Sequence, residues 1–171
     1  MNTTVRRASS DDLIPLLTFA KARFIDTYEH LNAPANFRAY LDQYFTVSAF
    51  EKELVNPKSL FYVLEQAQNI LAYIKLNLDS ADGGLDPQHC IELERIYVEK
   101  AMQGSGYGKQ MIEKAIAVGK THQKNILWLG VWENNPKAIQ FYERMGFETY
   151  GTHIFQLGAD QQNDFLMKMD I

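Results

Sequence analysis

Residues 96–109 read IYVEKAMQGSGYGK, and this stretch decides the fold. The apolar end of a strand runs into glycines at positions 104, 106 and 108, and a helical pattern, QMIEKAIAVGK, follows over 110–120. Glycine loses the most conformational freedom on folding, so three glycines where a helix begins need a reason. Unpaired amides and the helix dipole both favour an anion at such a turn. The stretch therefore predicts that this helix start holds a pyrophosphate.

Two common nucleotide-binding motifs do not fit the glycines. A dinucleotide-binding G-x-G-x-x-G would need glycine where Lys109 stands, and a P-loop would need Ser or Thr where Gln110 stands. The pattern that does fit is Gln103-x-x-Gly106-x-Gly108, placed directly after a strand. On its own, this pattern also allows glycines that only cap and pack a helix.

Length and composition describe an ordinary globular protein. The chain has 171 residues, 46% hydrophobic and 22% charged, which predicts a single domain over 1–171. A net charge of −4 argues against nucleic acid or an anionic membrane as partner and mildly favours a cationic substrate. The single cysteine, Cys90, excludes an internal disulfide, and no run is long and apolar enough to span a membrane. We therefore expect a cytoplasmic protein.

Periodicity gives the element order β-α-α-β-β-β-α-β-α-β-β, a mixed α/β fold. Apolar residues recur at helical spacing after Asp12 and again over 36–45, and a further helical piece ends before Pro57. The run NILWLGVW (125–132) is continuously apolar, as expected of a strand covered on both faces. NPKAIQFYERMG (135–146) is predicted to be a short helix, and the polar, turn-rich segment 80–89 a surface loop.

The glycine motif and the segment NPKAIQFYERMGF (135–147) together resemble the two cofactor motifs of the GNAT N-acetyltransferases. The resemblance covers essentially the whole chain. The chain is similar in particular to the PaiA-like polyamine acetyltransferases. This closer similarity lies in the segments TYEHLNAPANFRAYL, IELERIYV, NILWLGVWENN and AIQFYERMGF. The resemblance implies a mostly antiparallel, twisted seven-stranded sheet flanked by about four helices. It also implies acetyl-CoA as co-substrate, with no metal, and a small-molecule amine as acceptor.

The resemblance also assigns the cofactor contacts. The expected residues are Ile96, Tyr97 and Val98 on the strand edge, Gln103, Gly104, Ser105, Gly106, Tyr107, Gly108 and Lys109 in the glycine loop, and Asn135. The loop amides would cradle the pyrophosphate, the strand edge would pair with the pantetheine arm, and the amide near Val98 would donate to the thioester oxygen. Asn135 suits an N-cap before Pro136 equally well.

Transfer of an acetyl group to an amine needs a proton donor for the leaving thiolate and a proton acceptor for the ammonium. Tyr142 is the expected donor, because a phenol is protonated at neutral pH; a packed core tyrosine is the alternative. Glu94 is the candidate base by resemblance. Strand alternation puts Glu92 and Glu94 on one face and Leu93 and Arg95 on the other, so Glu92 is the second candidate, as base or as partner of a cationic chain. Two solvated carboxylates would explain both.

The first two helices, by resemblance, line the acceptor site. Tyr28 is the expected substrate contact, although an ordinary amphipathic helix explains it as well. The leading hypothesis is direct transfer from acetyl-CoA to a polyamine such as spermidine or spermine in a ternary complex. The alternatives are acetylation of a protein N-terminus or lysine, and a non-catalytic acyl-CoA-binding regulatory module. The sequence leaves a homodimer open.

Overall fold

The computed structural model describes residues 2–171 and contains seven strands and five α-helices in this range. The strands are β1 (Thr4–Arg7), β2 (Ser59–Gln66), β3 (Asn69–Leu78), β4 (Cys90–Val98), β5 (Ile126–Trp132), β6 (Glu148–Leu157) and β7 (Asp160–Asp170). The helices are α1 (Leu13–Tyr28), α2 (Pro34–Tyr44), α3 (Val47–Val55), α4 (Tyr107–Thr121) and α5 (Pro136–Arg144). The predicted order of strands and helices is confirmed, with one addition. The third helical piece, predicted to end before Pro57, is a separate helix between β1 and β2, so the helices number five and not four.

All seven strands form one sheet in the order β1-β2-β3-β4-β5-β7-β6. Every neighbouring pair is antiparallel except β4 and β5, which run parallel. Helix α4 connects these two parallel strands, as such a crossover requires. The mostly antiparallel, mixed sheet predicted from the sequence is therefore confirmed.

Each face of the sheet carries its own hydrophobic core. On one face α4 and α5 pack through residues such as Met111, Ile112 and Tyr142. On the other face α1, α2 and α3 pack through an aromatic cluster that includes Phe24 and Phe50. Strand β5 is buried on both faces, as its apolar run predicted. Within residues 2–171, no helix is both long enough and apolar enough to span a membrane.

A β-bulge in β4 corrects one prediction. Lys75 of β3 lies opposite Arg95, and the next residue of β3 lies opposite Leu93, so Glu94 is the extra residue. The bulge reverses the alternation after this point. Arg95 therefore reaches Glu53 of α3 on the same face as Glu92 and Glu94, and the prediction that Arg95 points to the opposite face is wrong.

The junction between β1 and α1 is fixed by a buried carboxylate. Asp12 receives two hydrogen bonds from the guanidinium of Arg6, at 2.8 and 2.7 Å, and one from the backbone N–H of Ser9 at 2.7 Å. Arg6 also donates to Glu65 of β2 at 2.8 Å. The hydrogen bonds from Arg6 lower the pKa of Asp12 to about 2. The ionised carboxylate therefore stabilises the fold at neutral pH.

We predict that Asp12→Asn lowers the free energy of unfolding at pH 7 by about 1–2 kcal/mol. Because the folded pKa lies below the ordinary value, this stability is present above about pH 4 and is lost as pH falls towards 2. Denaturant unfolding of wild type and variant should therefore differ at pH 7 and converge near pH 2. Asp11→Asn, at the exposed neighbouring position, is the control and should match wild type throughout. A constant gap at all pH values would contradict the assignment.

Candidate active site

Strands β4 and β5 pair over three residues and then separate. Their register runs from Cys90 opposite Ile126 to Glu92 opposite Trp128. Beyond this point each strand keeps only its other neighbour: β5 pairs with β7, and β4 pairs with β3. We call the diverging segments, residues 93–98 of β4 and 129–132 of β5, the fork. Within residues 2–171 no strand pairs with the fork side of β4, so the strand edge predicted to bind the pantetheine arm is open.

The backbone of β4 presents amides to the fork. The N–H of Glu99, just after the strand, donates to the carbonyl of Leu71 on the β3 side at 2.7 Å. Successive strand residues direct their N–H groups to opposite edges, so those of Ile96 and Val98 point into the fork. These are two of the three residues predicted for this edge. The third, Tyr97, turns its side chain to the aromatic core and stacks on Tyr73 at 5.7 Å.

The glycine loop follows directly and ends at α4. Gly104 and Gly106 have φ angles of +85° and +89°, a left-handed conformation that side chains disfavour. Gly106 is the N-cap of α4 and has no side chain to cap the helix. The N–H of Gln110 makes the first intrahelical bond, to the carbonyl of Gly106 at 3.0 Å. The N–H groups of Tyr107, Gly108 and Lys109 therefore have no intrahelical acceptor and can bind an anion.

The other loop residues divide between packing and solvent. A Cβ on Gly108 would lie 3.1 Å from the ring of Phe141, so this glycine lets α5 approach α4 closely. Gln103 and Ser105 are exposed beside the loop glycines. Lys109 is exposed, and its Nζ lies 3.8 Å from Glu113, which leaves it accessible to an anion. The first turn of α4 contains no acidic residue that would repel a phosphate.

Four polar side chains from α1, β4 and α5 meet at the open end of the fork. Burial raises the pKa of Tyr28, at the end of α1, and hydrogen bonds with the side chains of Asn135 and Tyr97 oppose the rise. Asn135 is also the N-cap of α5, accepting from the N–H of Ala138 at 3.2 Å, so the structural alternative for this residue is confirmed. Burial raises the pKa of Tyr142, and nearby Tyr28 adds to the rise. Tyr142 is therefore a protonated phenol at neutral pH.

The two candidate bases have different surroundings. Glu94 contacts Lys75 Nζ at 2.6 Å, Arg95 Nη2 at 3.1 Å and Asn77 Nδ2 at 2.6 Å. Burial alone would raise the pKa of Glu94, but the two positive charges outweigh it and lower the pKa. Glu92 instead accepts from Asn77 Nδ2 at 2.9 Å and Ser80 Oγ at 2.7 Å.

Burial dominates at Glu92 and raises its pKa. The solvated alternative for these carboxylates is wrong, because both side chains are partly buried and hydrogen-bonded. A base works best when its pKa is close to the working pH. Glu92 therefore has the better electrostatic setting for a base, and Glu94 is neutralised by its cationic neighbours.

The sequence interpretation missed the charged residues on which Glu94 depends. Lys75 is buried in an apolar strand and bridges Glu53 at 3.0 Å and Glu94. Arg95 binds both carboxylate oxygens of Glu53, at 2.9 and 3.0 Å. A lysine inside the run ILAYIKLNL was the available signal, because lysine is almost never buried without a partner. His153 and Asp164, on β6 and β7, were missed as well.

Comparison with known proteins agrees with this geometry. Residues 24–147 match the Acetyltransferase (GNAT) family. An N-acetyltransferase of Lactobacillus delbrueckii subsp. lactis is 35% identical over 162 residues, 95% of this chain and 94% of that protein. A spermine/spermidine N(1)-acetyltransferase of Bacillus subtilis is 33% identical over 60 residues, 34% of this chain and 40% of that protein.

Among solved structures, the PaiA N-acetyltransferase of Thermoplasma acidophilum in complex with coenzyme A superposes with a TM-score of 0.82. The two sequences are 21% identical, and the match covers 100% of each chain, so the likeness is one of fold. The seven-stranded sheet is therefore shared over the full length. With the forked strands, the glycine loop and the family match in agreement, the chain belongs to the GNAT family and is an acetyl-CoA-dependent N-acetyltransferase.

Proposed function

We propose that the acceptor is a small polycationic amine such as spermidine or spermine, and that it attacks the thioester directly in a ternary complex. The observation that carries the proposal is the partly buried carboxylate of Glu92, which accepts hydrogen bonds from two neutral side chains, Asn77 and Ser80, on the α1 side of β4 where the fork opens. A carboxylate in this setting favours a cationic acceptor. The partial similarity to a spermine/spermidine acetyltransferase supports the same substrate class.

The donor is proposed to lie along the fork edge of β4. Its pyrophosphate would accept hydrogen bonds from the free amides of residues 107–109, helped by the positive end of the α4 dipole. The pantetheine arm would pair with the backbone of Ile96 and Val98 in the manner of an added strand. The Val98 amide, which points into the fork, would then stabilise the oxyanion that forms on the thioester oxygen.

The acceptor is proposed to approach from the opposite face, where α1 ends at Tyr28. One proton passes from its ammonium through water to Glu92, and the neutral nitrogen forms the new C–N bond. The C–S bond then breaks, and Tyr142 donates a proton to the leaving thiolate. The second proton that the nitrogen loses on becoming an amide returns through water to the Tyr142 phenolate. Glu94, neutralised by Lys75 and Arg95, is proposed to hold the bulge in place instead of taking the proton. The proposed base is therefore Glu92, the second candidate, and not Glu94, the base expected from the resemblance.

A screen of acceptors at fixed acetyl-CoA tests the proposed substrate class. Thiol release should be fast with spermidine and spermine and slower by at least about tenfold with peptides that present a free N-terminus or lysine. Faster release with a peptide acceptor would contradict the polyamine assignment and favour protein acetylation. Absence of thiol release with every amine would contradict the assignment as well.

We predict that Tyr142→Phe lowers kcat by about 100-fold, because the thiolate loses its proton donor, while the affinity for acetyl-CoA changes less than twofold. Single-turnover kinetics and calorimetry measure the two quantities. Tyr62→Phe is the matched control, since Tyr62 packs on the same core from β2, far along the sheet from the fork. Equal loss of turnover and acetyl-CoA affinity in Tyr142→Phe would make this residue a packing group.

We predict that Glu92→Gln lowers turnover, whereas Glu94→Gln lowers stability. Glu92→Gln should lower kcat by about 100-fold with little change in melting temperature, because a base is lost. Glu94→Gln should lower the free energy of unfolding by about 2–3 kcal/mol, because Lys75 and Arg95 lose one of the two carboxylates that they share and keep only Glu53. Steady-state kinetics and thermal melts of both variants distinguish the roles. A stable Glu94→Gln with a 100-fold lower kcat would instead identify Glu94 as the base.

A further inference from the structure

Asp164 of β7 is a buried carboxylate beside the fork. It is 9% exposed and lies opposite Trp132 of β5 on one side and His153 of β6 on the other. Trp132 is the last residue of the β5 arm, and its ring contacts Tyr28 at 6.3 Å. Asp164 also contributes to raising the pKa of Tyr28. The carboxylate therefore lies on the acceptor face, close to the site described above.

The side chain of Asp164 lies over Gly130, a residue of the β5 segment of the fork. A Cβ on Gly130 would lie 3.4 Å from Asp164 Oδ2 and 3.3 Å from His153 Nε2. Gly130 comes two residues after Trp128, the last β5 residue that pairs with β4. The carboxylate from β7 thus lies over β5, two residues beyond the last pair that β5 forms with β4. Glu92 reaches the same face from β4, so acidic groups flank the fork on both sides.

The charge of Asp164 is poorly compensated. Its closest charged partner within residues 2–171 is His153 Nε2 at 3.5 Å, which is longer than a normal N–H···O hydrogen bond. The other ring nitrogen, Nδ1, lies 2.6 Å from Asp82 Oδ2, so one imidazole is shared by two carboxylates. A protonated imidazole carries a single positive charge, and Glu133 adds a further negative charge nearby. At least one negative charge therefore remains for a ligand to neutralise.

We propose that Asp164 binds a second, non-reacting cationic nitrogen of the acceptor and so selects diamines and polyamines over monoamines. The inference rests on the proposed function, because it assumes that an amine reaches the fork from the α1 side. Asp82 and His153 act through Asp164: they hold the carboxylate over Gly130 and do not contact the acceptor. Gly130 has no Cβ, and this lets the side chains of Asp164 and His153 lie close against β5.

The test compares kcat/KM for thiol release with spermidine and with n-butylamine, which carries one cationic nitrogen, at saturating acetyl-CoA. Wild type should prefer spermidine. Asp164→Asn should lower kcat/KM for spermidine by about 10- to 100-fold, the range expected for a lost hydrogen bond to a charged group. With n-butylamine the change should stay below about threefold, and acetyl-CoA affinity by calorimetry should be unchanged. Asp170→Asn, which removes an exposed carboxylate at the other end of β7, should keep the wild-type preference.

Gly130→Ala provides a second variant if Asp164→Asn loses acetyl-CoA binding through misfolding. It keeps the charge, but its Cβ would lie 3.3 Å from His153 Nε2 and 3.4 Å from Asp164 Oδ2 and would displace the carboxylate, so the preference for spermidine should again fall. An unchanged preference in the folded variant, an equal loss with both amines, or a wild type that accepts both amines equally would each overturn the proposal. These outcomes differ from failure of the proposed function, in which wild type releases no thiol with any amine.

Discussion

The early separation of β4 from β5 is the constraint on which the site depends. A parallel pair that stops after three residues leaves one edge of β4, the edge opposite β3, without a strand partner from Leu93 onward within residues 2–171, and this open edge ends at the glycine loop. The bulge at Glu94 falls where pairing stops, and bulges bend a strand and increase its twist. Lys75 and Arg95 surround the bulged carboxylate, so the ion pairs that offset the cost of burying these charges also fix the local geometry of the strand.

The sheet has two covered faces, and the fork connects them. In the arrangement we propose, the glycine loop and α4 serve the donor on one face, and α1 with its aromatic core forms the acceptor face. The end of α1 and helix α5 meet where the two faces connect, and they bring together Tyr28, Asn135 and Tyr142. Arg23 of α1 forms an ion pair with Glu99, the residue between β4 and the glycine loop. This contact ties the acceptor helix to the start of the donor loop.

Local patterns predicted most of the fold, and long-range contacts account for what they missed. Continuous apolarity in β5 and helical spacing in α4 and α5 gave the correct elements, because each follows from nearby residues. The bulge at Glu94 could not be predicted, since it depends on Lys75 and Glu53, which are distant in the chain. The positions of Asp164 and His153 could not be predicted for the same reason. They are brought together by the register of β6 and β7, and both side chains lie close to Gly130 of β5.

The most direct measurement is the change in backbone amide chemical shifts when coenzyme A is added to isotope-labelled protein. We expect the largest chemical-shift changes at Ile96, Val98 and residues 104–109, and no change in β1 and β2. Largest changes in the groove between α4 and β2, lined by Tyr62, Lys114 and Thr121, would contradict it. That result would place the cofactor away from the fork, and the assigned roles of the Val98 amide, Tyr142 and Glu92 would fail together.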